Sequence, residues 1–204
     1  MEISRFVQGL VMGFSIAAPV GPIGVLCMRR ALAHGAVSGL ASGMGAATAD
    51  AIYGSVAAMG LTFVSEALIA QQSLFRLVGG AFLCALGVKT FLAEPAAGSS
   101  RAETASILRG FVSTLLLTLT NPMTILSFAA IFSGLGAADT PGEYASAGRL
   151  VCGVFLGSAL WWLMLSSTVS LLRDKLNQGA LRWVNRIAGA VIGGYGVCAL
   201  LRVG

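Results

Sequence analysis

The stretch Phe6 to Met28, FVQGLVMGFSIAAPVGPIGVLCM, carries no charge in 23 residues and contains two prolines, Pro19 and Pro22. A helix rises 1.5 Å per residue, so about 20 apolar residues cross a hydrocarbon core of about 30 Å. Inside that core every backbone polar group must find its partner within the protein. The run is therefore read as a membrane span. Proline lacks an N–H and clashes with the preceding turn, so the same run is expected to break where the prolines fall.

The rest of the chain repeats the pattern. Of 204 residues, 56% are hydrophobic and only 10% charged, against about 25% charged in soluble domains, which excludes an ordinary soluble fold. Gly110 to Ala138 and Leu150 to Leu172 are also free of charge. Val37 to Val64 is interrupted only by Asp50, Leu74 to Leu92 carries Arg76 and Lys89 near its ends, and Trp183 to Leu201 carries Arg186 near its start. Long basic side chains near span ends can snorkel to the headgroups. The expectation is an all-α membrane protein of six spans forming one transmembrane domain over residues 1–204. Its halves run from about 1–92 and 107–204, joined by a linker at about 93–106 that contains Pro95, Gly98, Ser99 and Ser100.

Arg5 before the first apolar run, with Ala17 and Ala18 following, has the flavour of a signal peptide. The run continues to Met28 and five more follow, so it is kept as structure. With six spans, Arg29, Arg30, Lys89, Arg101, Arg109, Arg173, Lys175, Arg182 and Arg186 fall on one side and Arg5, Arg76, Arg149 and Arg202 on the other. Basic residues concentrate in cytoplasmic loops, which places the larger group inside and both termini outside. The basic balance then reflects topology and contact with the lipid bilayer, and no nucleic-acid partner is expected.

The halves echo each other. Gly21-Pro22-Ile23-Gly24-Val25-Leu26 parallels Asn121-Pro122-Met123-Thr124-Ile125-Leu126; Gly39 and Gly43 parallel Gly153 and Gly157; Arg76-Leu77-Val78-Gly79 parallels Arg186-Ile187-Ala188-Gly189. Three spans per half invert the second copy. The result is a 3+3 inverted repeat with broken helices 1 and 4, a pattern of secondary transporters. Proline suits the first position of a helix and Asn the cap before it, so Asn121-Pro122 reads as the start of a half-helix within the membrane, with Pro19, Gly21 and Pro22 its counterpart. Such a start offers unpaired N–H groups and partial positive charge to a carboxylate. The alternative is a plain proline kink repaired by neighbouring helices.

Asp50 is the one acid deep within a span, and Gly43, Ala47, Asp50 and Gly54 share a helix face, so it points into the bundle. Intramembrane acids mark ion, proton or substrate paths, or form a structural bond to a neighbouring helix. Trp161 and Trp162 lie mid-span, away from the interfaces where Trp is usual, and serve either packing or an ammonium ligand. Cys27, Cys84, Cys152 and Cys198 are scattered without a CxxC, and His34 has no second ligand at metal spacing. No protease dyad or nucleotide-binding glycine pattern is present, so an enzyme, a cofactor and a resident metal are not expected.

Ala18-Pro19-Val20-Gly21-Pro22-Ile23-Gly24-Val25-Leu26 followed by Arg29-Arg30-Ala31-Leu32-Ala33-His34-Gly35 resembles the opening of the lysine exporter family (LysE/RhtB) of small amino-acid efflux proteins. Gly43-Met44-Gly45-Ala46-Ala47-Thr48-Ala49-Asp50 resembles its second span, Arg109-Gly110-Phe111 through Thr120-Asn121-Pro122 its fourth, and Gly157-Ser158-Ala159-Leu160-Trp161-Trp162 its fifth. Met123 departs from the family, many of whose members have Lys after Asn-Pro. The resemblance implies an exporter of amino acids or related small metabolites in the bacterial inner membrane, an antiporter driven by an ion gradient. Its candidate substrate or coupling residues are Asp50, Pro19, Gly21, Pro22, Asn121, Pro122, Trp161 and Trp162. Expected partners are an amino-acid-like small molecule, the bilayer and, as an open alternative, a second copy of the chain. The superfamily also supplies two competing readings, a membrane thiol or electron-transfer protein and a metal-ion exporter.

Overall fold

The computed structural model describes residues 2–19, 21–58, 70–94, 103–121, 123–128, 144–172 and 176–202, and every regular element among them is helical. In chain order these are α1 (Glu2–Ala17), α2 (Pro22–His34), α3 (Ala36–Ala58), α4 (Gln72–Phe91), α5 (Glu103–Leu119), α6 (Tyr144–Ser170) and α7 (Gln178–Leu201), with a further helical stretch at 123–128. Among the described residues α4, α7 and Ala145–Ser170 of α6 are each long and apolar enough to cross a bilayer. Arg5–Ala17 and Pro22–His34 make a fourth crossing if the pair, bent by 81°, is one broken span. The chain is thus an all-helical, multi-pass membrane protein. The expected second and fourth spans run on into residues 59–64 and 129–138, outside the described ones.

Absence of charge locates the spans but truncates their helices. α6 opens at Tyr144 rather than Leu150, α7 at Gln178 rather than Trp183, and α5 at Glu103, inside the expected linker. A helix continues past its apolar stretch wherever its first turn can be capped, as when Asn177 Oδ1 accepts the Ala180 N–H at 2.8 Å. The same correction applies to Arg29 and Arg30, expected in a loop but carried within α2. That helix ends only at Gly35, whose φ of 92° is a left-handed conformation suited to glycine and whose N–H bonds Ala31 O at 2.9 Å.

Glycines set the packing. Added Cβ atoms at Gly9 and Gly13 would strike the backbone of Leu150 and Val154, and at Gly153 and Gly157 the backbone of Phe6 and Leu10. α1 and α6 therefore lie side by side in backbone contact, and the partner numbers rise together, so they run parallel. α3 and α5 form a second parallel pair, with Gly45 on Phe111 and Tyr53 bonding the Leu119 carbonyl. α3 and α6 are antiparallel, since Gly43 meets Trp162 and Gly54 meets Val154; α4 and α7 are antiparallel too, Gly80 meeting Leu200 and Gly87 meeting Gly189. The glycines matched by sequence do not do matching work. Gly39 faces Ala31 and Ser166, and Gly43 faces Trp162, whereas Gly153 and Gly157 carry α1. In α3 the glycine that brings a neighbouring backbone close along a parallel helix is Gly45.

Backbone cannot yield as a side chain can, so Gly13→Ala is expected to lower stability by about 1–3 kcal/mol or more. Gly194→Ala, whose Cβ meets no described residue within 4 Å, should leave stability unchanged or slightly raised. Unfolding of the two purified variants in one detergent compares them.

Candidate functional site

The first break lies between α1 and α2. α1 closes with the Ala18 N–H on Phe14 O at 3.0 Å, Pro19 is exposed in a bend, and Gly21 is extended at φ −107°, ψ −163°. Pro22 then opens α2 at its first turn, and no side chain caps it. The first N–H groups of a helix have no partner inside it, so those of Ile23 and Gly24 face the break. No described residue lies within 4 Å of a Cβ added at Gly21, so the described residues leave the backbone here approachable.

The second break is built differently. α5 stops at Leu119, and the chain restarts at 123–128 with Asn121 Oδ1 accepting the Met123 N–H at 3.1 Å and Asn121 O accepting those of Thr124 and Ile125 at 3.1 and 3.2 Å. Asn121 acts as the cap its identity suggests, so this break satisfies part of its own positive end while the first does not. Pro122 lies outside the described residues. Met123 is 63% exposed, directed away from the packed interior.

Between the breaks runs α3. Ala17 and Ile23, on either side of the first break, share a buried cluster with Ala46, Ala47 and Trp162, while Ile125 and Phe128, beyond the second, share another with Tyr53 and Val154. Asp50 sits on α3 between these two sets and is 3% exposed. Ser158 Oγ of α6 donates to Asp50 Oδ2 at 2.7 Å, and Trp162 Nε1 donates to Ser158 Oγ at 3.1 Å. An indole N–H can only donate, which leaves the single Ser158 hydrogen for the carboxyl. Asp50 Oδ1 accepts nothing from a described residue. One turn along, the Tyr53 hydroxyl donates to Leu119 O, a carbonyl freed where α5 stops.

The structure therefore joins Asp50 to Trp162 through Ser158, which sequence reasoning did not single out. Its signal was available only in the register of α3 against α6, because Ser158 is one serine among many. Trp161 is separate, packing edge-on against Phe14 of α1 with ring centroids 5.3 Å apart. Two further unforeseen residues are Arg29, whose Nε donates to Asn185 Oδ1 at 2.8 Å, and Arg30, turned toward α3 and α5. The cysteines are free, Cys27 buried and Cys152 and Cys198 exposed, and no group of three or more His, Cys, Asp and Glu that could hold a metal occurs among the described residues.

Ser158→Ala leaves both Asp50 Oδ2 and the Trp162 N–H without a partner, which should cost about 1–3 kcal/mol. Combined with Asp50→Asn, the loss should fall short of the sum of the single losses by about 1 kcal/mol. Additive losses in thermal unfolding would show the two side chains to be energetically independent.

The family model described as LysE type translocator matches residues 14–202. YcgF of Bacillus subtilis (strain 168), provisionally named an amino acid efflux protein, is 29% identical over 188 residues, covering 90% of this chain and 89% of its own. The threonine efflux protein of Salmonella typhi is 29% identical, covering 72% and 73%, and the uncharacterized membrane protein YahN of Escherichia coli (strain K12) is 31% identical, covering 81% and 75%. No solved structure matches. With nearly its whole length matched, the chain belongs to the LysE type translocator family.

Proposed function

We propose that this chain exports amino acids or closely related small metabolites across the bacterial inner membrane as an antiporter driven by an ion gradient. The observation that carries the reading is Asp50, a deeply buried carboxyl on the helix that runs between two breaks. Intramembrane carboxylates mark ion and substrate paths, and interrupted helices in corresponding places of two halves are where secondary transporters bind. Relatives whose names specify amino acid or threonine efflux supply the substrate class.

The architecture of the proposal is six spans in a 3+3 inverted repeat with both termini outside. Helix directions support it. Exchanging the halves turns the parallel pair α1–α6 into the parallel pair α5–α3 and returns the antiparallel pairs α3–α6 and α4–α7 to themselves, as a two-fold axis in the membrane plane requires. The nine-to-four distribution of basic residues supports the orientation.

In this mechanism the open first break, with Pro19, Gly21 and Pro22, offers the N–H groups of Ile23 and Gly24 to the substrate carboxylate. Asp50 receives its ammonium group or the coupling proton. Trp162 acts through Ser158 to position that carboxyl, Trp161 holds α1 against α6, and Asn121 with Pro122 forms the second break.

Proteoliposomes test the reading. Asp50→Asn should reduce efflux of the amino acid released after dipeptide loading at least tenfold and abolish its dependence on an imposed pH gradient. Full efflux and pH coupling in that variant would end the proposed role. Gly21→Leu should unfold at the wild-type temperature, because no described residue lies within 4 Å of its Cβ, yet slow transport severalfold by covering the break.

A further inference from the structure

Arg29 and Arg30 stand together in the second half of α2, before its last turn. Arg29 is occupied structurally, since its partner Asn185 in turn donates Nδ2 to Ala93 O at 2.9 Å, closing α2 onto α7 and the end of α4. Arg30 turns the other way. Its Nη1 donates to Ser42 Oγ at 2.8 Å, Gly110 O at 3.0 Å and Thr114 Oγ1 at 2.9 Å, and its Nη2 donates to Ser113 Oγ at 2.8 Å.

All four acceptors are neutral, and among the described residues no carboxylate pairs with either arginine. Nη1 already divides its two hydrogens among three acceptors. Among the described residues nothing accepts from Nε–H or from the second N–H of Nη2, and those two nitrogens form an edge on which a guanidinium takes a carboxylate in a bidentate pair. A partly buried cation held only by neutral groups has its hydrogen bonds partly satisfied and its charge uncompensated.

We infer that Arg30 is a recognition site for the substrate's carboxylate, on the side of the bundle where α2 meets α3 and apart from the level of Asp50. The inference rests on the export reading and adds a second station to it. Ser42, which Arg30 bonds, precedes Asp50 by eight residues on α3, or about 12 Å along the helix axis. An α-amino acid carries its ammonium one carbon from its carboxylate, so one molecule cannot span both residues. The two are used in turn, the carboxylate being held first at Arg30. Thr114 and Thr118 on α5 and Ala46 and Ala47 on α3 are buried between the levels, and Leu26, Leu117 and Trp162 share one buried cluster with those alanines.

Arginine modification on the wild-type protein tests this without a variant. Phenylglyoxal should modify Arg30, located by peptide mass mapping, and sodium acetate should slow that modification severalfold relative to sodium chloride or phosphate at equal ionic strength. An unreactive Arg30 overturns the inference, and so does equal protection by all three anions. In transport, Arg30→Gln should raise KM for the exported amino acid about tenfold or more while leaving KM for its carboxamide within twofold, with Arg30→Lys between. An equal loss for both substrates would assign Arg30 a purely structural part. Acetate protection in a protein that exports no amino acid would sink the export reading and leave the carboxylate site standing.

Discussion

The near-absence of bulk along much of α3 governs the arrangement around it. Ser38, Gly39, Ser42, Gly43, Gly45, Ala46, Ala47, Ala49, Asp50 and Gly54 are all buried, and Tyr53 is the one large side chain among its buried positions. α5 can therefore lie along it in backbone contact at Gly45, and α6 across from it with the side chain of Trp162 set on Gly43. Association of helices in lipid gains nothing from hiding apolar surface, because the lipid is equally apolar; it depends on close approach and interhelical hydrogen bonds. A larger residue at Gly43 would displace Trp162, and with it the serine one turn away that satisfies Asp50. The polar site is thus a product of close packing.

What could be read from the sequence was whatever depended on one helix at a time. Uncharged runs announced spans, Pro22 and Asn121 announced interruptions, and Asp50 stood out by being alone at depth. What could not be read depended on two helices at once. Ser158 matters because antiparallel α6 presents it opposite Asp50, and no spacing within α6 distinguishes it from Ser166 or Ser167. The glycine matches failed for the same reason: Gly39 and Gly153 occupy like places in the sequence order, but their neighbours are chosen by lateral register. Arg29 and Arg30 were assigned to a loop because charge usually marks one, whereas Gly35 lets α2 continue through them and fold them back onto the bundle.

The two breaks illustrate how similar sequence can yield different chemistry. Gly21 and Asn121 each precede a proline, but glycine supplies no cap and asparagine supplies its own. Where Asn121 Oδ1 already accepts the Met123 N–H, an incoming anion must compete for it; at Gly21 it need not.

The one-way sequence of donors from Trp162 through Ser158 to Asp50 also bears on which cations the carboxyl can serve. One of its oxygens accepts from Ser158, and the other accepts nothing from a described residue. Calcium takes six to eight oxygen ligands and magnesium a near-octahedral set, and no group of three or more His, Cys, Asp and Glu that could hold a metal occurs among the described residues. A proton or an ammonium hydrogen asks for one lone pair, and the hydroxyl of Ser158 leaves one oxygen to provide it.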